Sequence, residues 1–216
     1  MEEVQTTQTA PAIPAEPAEK ENDAEVRSAI ALVYIAEFVK IFIIAAAIIL
    51  PVRLFLIQPY YVKGSSMEPN FFENEYLIVD KITVNFEKLK RGEVIVFRFP
   101  KAEQRFLIKR VIGLPGEKVE ACGNTVRVWN TDYPDGITLN ENPYHPRQFA
   151  DQMFQRCVTE EVGQHEYFVL GDNRPASYDS SIFGTIPDDH ITGRVIFRGL
   201  PVDRVSVFGT PQYNLK

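Results

Sequence analysis

Two residues of this chain are suited by type and setting to do chemistry together, a serine and a lysine. Ser66 sits in the turn-like stretch Gly64-Ser65-Ser66-Met67-Glu68-Pro69, just after a long apolar run. Lys109 lies in the segment Phe106-Leu107-Ile108-Lys109-Arg110-Val111-Ile112, which reads as a strand. A serine hydroxyl is a poor nucleophile until an adjacent base takes its proton, and taken alone the serine stretch reads equally as a connecting loop. Residues two apart on a strand share a face. Phe106, Ile108 and Arg110 therefore lie on one side, and Leu107, Lys109 and Val111 on the other. If the second side faces the core, burial disfavours the ammonium and lowers the lysine pKa. Moving it from about 10.4 to roughly 8 takes about 3 kcal/mol. If the strand is exposed, Lys109 is an ordinary lysine, and alternation alone leaves both readings open. The three histidines, His145, His165 and His190, all read as surface loop residues. A Ser-His-Asp arrangement is recognised by geometry and not by order, so it stays open as well.

Composition narrows the class. The chain has 216 residues, 45% of them hydrophobic and 24% charged, as in a folded protein of one ordinary domain plus an appendage. Its net charge of -6 comes without a basic block, which excludes nucleic acid as the main partner. Cys122 and Cys157 are the two cysteines, and neither a CxxC spacing nor a His/Cys cluster suggests a metal. A disulfide between them and two buried free thiols are both compatible with their positions.

Several elements are needed to hold such a pair in place. Residues 1–28 form an acidic Ala/Pro/Glu/Thr-rich tail, too poor in large apolar side chains to order itself. Residues 29–57 are mostly apolar, interrupted by Glu37, Lys40 and Arg53, and predict one transmembrane helix. The uncharged part, 41–52, is shorter than the roughly 20 residues a span needs, but Lys40 and Arg53 stand where basic side chains can snorkel. Glu37 and Lys40 are spaced to pair on a helix. Lys and Arg are balanced on the two flanks, so charge does not set the orientation. A cleavable signal peptide fits poorly, because the tail is long and acidic. Residues 58–216 are read as the β domain, and after the serine stretch the pattern changes to period two and stays there. Residues 76–79, 94–99, 106–112, 125–129, 167–170, 194–197 and 204–208 read as strands, separated by Gly- and Pro-containing turns. A turn of helix is expected near Asp188 to His190, and an inserted loop or hairpin over residues 132–149. The fold class is mainly β: an all-β domain following one N-terminal transmembrane helix.

The serine stretch, Gly92-Glu-Val-Ile-Val-Phe97, Ile108-Lys-Arg-Val-Ile-Gly-Leu-Pro-Gly116 and Gly171-Asp-Asn-Arg174 with Ser177-Tyr-Asp-Ser180 follow one another in this order. Together they resemble the type I signal peptidases (leader peptidases) over residues from about 37 to 207, least over the middle loop, residues 125–159. The resemblance implies a signal-peptidase-like catalytic domain on the extracytoplasmic side of the cytoplasmic membrane, with a serine-lysine dyad. Ser66 matches the nucleophile and Lys109 the general base. Ser177 matches the serine that helps orient the lysine, and the Ser66 backbone N–H the oxyanion donor. Gly64 stands where some members carry a second oxyanion hydroxyl. Asp172 would pair with Arg110 in support, and Asp179 matches a family aspartate. The arginine usual two residues after that aspartate is Ser181 here, and the usual Asp-Asn after Gly-Asp-Asn-Arg is Pro175-Ala176. Tyr60, Val62, Met67, Phe71, Leu107 and Ile108 match shallow substrate pockets. Tyr60, Tyr61, Phe71 and Phe72 also suit a lipid interface. The implied substrates are secreted preproteins with small residues at the third-last and last positions before the cut, the other partner is the lipid bilayer, and no metal or cofactor is implied. A monomer is expected. A self-cleaving Ser-Lys regulator is a runner-up that the apolar anchor and the lack of a DNA-binding segment speak against. A catalytically silent, membrane-anchored β domain that binds signal peptides or partners is another. It would not need Ser66 beside Lys109.

Overall fold

The computed structural model describes residues 19–51, 57–123, 125–144, 157–211 and 213, in two compact units, Met1–Leu50 and Pro51–Lys216. The first unit contains helix α1, Glu19–Pro51. Within it, Val26–Leu50 has a mean hydropathy of 2.4 and is long and apolar enough to cross a membrane. At 1.5 Å per residue these 25 residues reach about 37 Å, against roughly 30 Å of hydrocarbon. Apolar side chains are exposed around the whole helix, including Leu32, Tyr34, Phe38, Phe42, Ile44 and Ile48. A helix in water buries one stripe, and one surrounded by lipid needs none. Lys40 lies 3.8 Å from Glu37, the expected pairing.

The helix bounds differ from those expected. It begins at Glu19, ten residues before residue 29. Glu and Lys favour helix there. The rest of the expected tail, residues 1–18, lies outside the described residues. At the other end the described part of α1 ends at Pro51, residues 52–56 lie outside the described residues, and Ile57 already belongs to a strand, so the helix does not run to residue 57.

The second unit is built from antiparallel strands: β1 Ile57–Tyr61, β2 Tyr76–Asp80, β3 Val94–Phe99, β4 Ala102–Gly113, β5 Lys118–Cys122, β6 Thr125–Trp129, β7 Ile137–Thr138, β8 Val158–Glu161, β9 Glu166–Leu170, β10 Ile186–Pro187, β11 Ile191–Leu200 and β12 Ser206–Val207. The larger sheet has the order β1-β2-β11-β3-β4-β9-β10, with β12 on β11. The smaller has the order β7-β6-β5-β8. Two single-turn helices, α2 Thr83–Phe86 and α3 Ser180–Phe183, and short 3-10 turns fill connections. One of those turns is Asp188–His190, as expected. Residues 204–208 form strand only at β12, because Val202–Arg204 is a 3-10 turn. Of residues 132–149, the described part carries β7, which forms a hairpin with β6.

Register irregularities recur along β11, against both β2 and β3. Such bulges bend a strand and sharpen its twist. The larger sheet coils accordingly, so that β1 and β4, four places apart in the order, line one cleft. Three apolar clusters hold the unit. The first joins the small sheet to Ile112, Phe168 and Leu170. The second packs Val62, Met67 and Phe71 on Leu77, Val79, Val94, Val96 and Val195. The third packs Ile95 and Phe97 on Val111, Val169 and Ile186.

Cys122 and Cys157 are joined by a disulfide. Register explains the match: Ala121 pairs with Val158, so the next residue of β5 and the one before β8 stand side by side. The bond closes a loop of 35 residues. By chain entropy such a loop contributes about 4 kcal/mol. We expect the double replacement Cys122→Ala/Cys157→Ala to lower the denaturation midpoint of the full chain in detergent, read from Trp129, the sole tryptophan. The unreduced, denatured wild type should take up no thiol label, and the reduced one two labels per chain.

Candidate active site

The turn that carries Ser66 is anchored by its apolar neighbours. Met67 and Phe71 are 0% and 1% exposed, and both sit in the second core cluster. Backbone bonds from Glu68 to Ser65 (3.1 Å) and from Phe71 to Met67 (2.9 Å) close the turn, leaving Ser66 half-buried. Sinking Met67 and Phe71 into the core thus presents Ser66. It also removes both from the cleft, where the resemblance places them, and takes Phe71 away from any lipid interface: its ring lies 4.7 Å from that of Phe208. Phe72 is partly exposed beneath the Arg204 guanidinium, and Tyr61 is exposed.

Lys109 is on β4 opposite Ile95, and it is 2% exposed. Both faces of β4 are buried from here on, Lys109 and Val111 on one side and Arg110 and Ile112 on the other. Lys109 Nζ lies 2.7 Å from Ser66 Oγ and 2.8 Å from the Ile108 carbonyl oxygen. Burial lowers the lysine pKa from 10.5 to about 8, against the pull of the Asp179 and Asp172 charges and with a push from Arg105.

Strand β9 pairs with the far end of β4, Arg110 opposite Leu170. The turn that follows β9, residues 171–174, therefore lands beside the pair. Asn173 donates its backbone N–H to the Ser66 carbonyl (3.1 Å) and its side-chain amide to the Ser65 carbonyl (3.1 Å). Gly171 makes this approach possible, since a Cβ there would stand 2.5 Å from the Ser66 carbonyl oxygen and 2.6 Å from Ser177 Cβ. Asp172 takes a two-pronged bond from Arg110 (2.7 and 2.6 Å) and a third from Asn70 Nδ2 (2.7 Å). Arg110 also donates to the Gly92 carbonyl. Burial alone would lower its pKa, but Asp172 outweighs that and the net shift is upward. Asp179 accepts from Gly171 N (2.9 Å), Ser181 N (3.1 Å) and Ser181 Oγ (2.7 Å), capping α3.

Ser177 is 7% exposed and packs against Gly171. Its hydroxyl has no hydrogen-bond partner among the described residues, so the structure does not bond it to Lys109. Gly64 is exposed, with φ +83 and open space where a side chain would stand. His145 lies outside the described residues. His165 is exposed and 2.9 Å from Asp188, and His190 is half-buried and 3.1 Å from the Arg98 carbonyl, while the group beside Ser66 is Lys109.

A cleft of about 530 Å³ opens at the pair. Of the expected pocket residues, Tyr60, Val62, Leu107 and Ile108 line it. Gln104, Arg105, Phe106, Leu77 and Val96 line it too, and were not singled out in the sequence. For Gln104 to Phe106 the signal was continuity with the lysine strand. Asn70 and Glu141 carry no sequence signal of their own.

Comparison with known proteins agrees with this arrangement. The family described as "Signal peptidase, peptidase S26" matches residues 35–200. The chain belongs to that family. Signal peptidase I of Leptolyngbya laminosa is 33% identical over 183 residues, covering 81% of this chain and 84% of that protein. Signal peptidase IB of Staphylococcus aureus is 36% identical over 166 residues, covering 73% and 85%. A crystal structure of a signal peptidase I from Enterococcus faecalis V583 shares 30% identity, with a TM-score of 0.42, over 50% of this chain and 97% of that one. The matched residues 35–200 take in the Ser66 turn, β4 and the 171–174 turn.

A lysine released from its proton at about pH 8 has consequences for stability. The unfolded chain holds that proton up to about pH 10.5. Below pH 8 both states hold it, and the folded state carries a buried charge. Between pH 8 and 10.5 the unfolded state binds more protons, so stability rises with pH. Lys109→Met keeps length and apolar contact. We expect it to be more stable than wild type near pH 7, by up to about 3 kcal/mol, with the gap closing towards pH 10. Denaturation of both full chains in detergent across pH 6 to 10 measures this. Equal stability at every pH would mean a solvated lysine.

Proposed function

We propose that this protein is a membrane-bound type I signal peptidase, a serine endopeptidase that removes N-terminal signal peptides from secreted preproteins by a Ser66-Lys109 dyad. The observation that carries this is the 2.7 Å approach of a buried lysine amine to Ser66 Oγ. A silent binding domain has no need of that contact, nor of the burial that lowers the lysine pKa.

The chemistry follows from the two groups. Neutral Lys109 accepts the Ser66 proton as Oγ attacks the scissile carbonyl. The oxyanion of the tetrahedral intermediate is received by the Ser66 backbone N–H, a kind of donor worth about 3 kcal/mol. The ammonium protonates the leaving amine, the C–N bond breaks, and an acyl-Ser66 ester remains. Lys109 then takes a proton from the water that attacks the ester, and passes it to Ser66 Oγ as the ester C–O bond breaks, which frees Ser66 and restores the neutral amine. A neutral amine has two N–H groups and a lone pair. With the lone pair towards Ser66 and one N–H on the Ile108 carbonyl, a second N–H remains, and orienting it is the role that the resemblance gives to Ser177.

Substrate shape follows from the strands. Among the described residues β9 covers β4 only from Arg110 to Gly113, and β1 pairs only with β2. The free edges of β1 and β4 both border the cleft. An extended peptide adds to such an edge by main-chain hydrogen bonds, and alternate side chains point to one side. The last and third-last residues before the cut therefore point together into a wall of Val62, Leu77, Val96 and Ile108, closed by Tyr60 and Phe106. Small side chains suit it.

The disulfide supports an extracytoplasmic domain, because such bonds persist in oxidising compartments. The acidic tail then lies inside. In sealed cells, external protease should digest the β domain and spare the tail, and digestion of the tail alone would reverse the topology.

Activity is the direct test. Full-length wild type in detergent should cut a preprotein after small-x-small, with kcat/KM rising through about pH 8. Ser66→Ala and Lys109→Ala should be folded and inactive, and replacing either small substrate residue by Leu should block cleavage. A folded Lys109→Ala protein that still processes preprotein would sink the dyad.

A further inference from the structure

The middle of the chain matches the family motifs least, yet one segment of it reaches the candidate site. After β7 the chain runs Asn140-Glu141-Asn142-Pro143-Tyr144 and meets the turn at residues 171–174. Arg174 donates Nε to the Gly171 carbonyl (3.0 Å). Its terminal nitrogens lie 3.0 and 2.5 Å from the two oxygens of the Glu141 carboxylate. The two side chains are 3% and 10% exposed. The same carboxylate accepts the Tyr144 hydroxyl (2.7 Å), and the Tyr144 ring lies 4.1 Å from the Arg110 guanidinium. The Tyr144 carbonyl accepts Asn70 Nδ2 (2.6 Å). One short segment therefore touches the turn after β9, the arginine that holds Asp172, and the far end of the Ser66 turn.

We propose that Glu141 is a positioning residue for Ser66, acting through Arg174. The path is made of consecutive bonds. Glu141 fixes the Arg174 guanidinium, and Arg174 fixes the Gly171 carbonyl and so closes the turn. The turn in turn holds the Ser66 and Ser65 carbonyls through Asn173. Replacing this carboxylate by a neutral amide weakens the two-pronged hold on a buried guanidinium, which is costly. The guanidinium leaves for other partners, and the Gly171 carbonyl loses its clamp. Ser66 then drifts relative to Lys109, while the cleft residues Val62 and Ile108 keep their places.

This inference rests on the peptidase reading above, and its test is separable from that one. Glu141→Gln keeps the shape and removes the charge. In the full-length protein in detergent we expect kcat for a preprotein, per folded molecule, to fall roughly tenfold to a hundredfold, as a small misplacement does. KM should stay within about twofold of wild type. The acid limb near pH 8 should not move, because the burial of Lys109 is untouched. Val119→Ala, which opens the same apolar cluster but touches none of these bonds, should lower stability and leave kcat per folded molecule unchanged. Arg174→Gln should lower kcat in the same way, and the double variant should lose less than the product of the two single losses, since the two side chains act through one shared pair of bonds. If Glu141→Gln does not fold, Glu141→Asp, which keeps the charge on a shorter stem, carries the test with an intermediate loss of kcat. Unchanged kcat in the folded Glu141 variant, or losses that multiply in the double variant, would overturn the inference. A wild type that cuts no preprotein would overturn the peptidase reading instead.

Discussion

The burial of one amine constrains the rest of this site. Lys109 is almost sealed from water, and a charged amine there is costly. A nearby free carboxylate would repay that cost and keep the lysine protonated. Asp172 and Asp179 are both close enough to raise its pKa, and burial still wins. Their bonds explain why. Asp172 is spent on Arg110 and Asn70, and Asp179 on the backbone of Gly171 and on Ser181. Each carboxylate has its own donors, so neither forms a salt bridge with the lysine. The arrangement holds acids beside a base without neutralising it.

The same bookkeeping accounts for the residues that depart from the family pattern. With Ser181 in place of an arginine, Asp179 keeps three donors, two of them from Ser181 itself, and caps α3. The Pro175-Ala176 pair forms a 3-10 turn, Arg174–Ala176, in which proline occupies an early position where a missing N–H costs little. That turn brings Ser177 back towards Gly171. Neither departure leaves a charge unpaired near the lysine.

Much of this was legible before any coordinates, for reasons that can be named. Strands β2, β3, β6 and β9 alternate or run apolar over their full length, and their bounds agree with the structure to within a residue. β5 alternates too, with Val119 and Ala121 inward, but lysine, glutamate and alanine disguise it. β1 was hidden in the tail of the apolar run, and only its pairing with β2 makes Ile57 a strand residue and not a helical one. That Ser66 and Lys109 would meet was legible because the order and spacing of the motifs single them out. Met67 and Phe71 were misplaced because a turn next to a cleft can point its apolar residues to either side, and core packing decides. The disulfide was open because it depends on the register of β5 against β8, which no local pattern encodes. Glu141 was invisible for the same reason, being defined by an arginine 33 residues away.

The cleft also resolves a conflict that open sheets carry. An unpaired strand edge invites any extended chain, including another copy of the same protein. Here two free edges, on β1 and β4, are needed if a peptide is to be held beside Ser66. Coiling turns both inward on one cleft, so neither is presented flat to solvent. The cleft wall carries charge at Lys63 and Arg105, both exposed, and positive charge on an edge opposes stacking of like strands. Arg105 is on the same face of β4 as Lys109 and also pushes the lysine pKa down. One side chain thus puts positive charge on the free edge and favours the neutral amine.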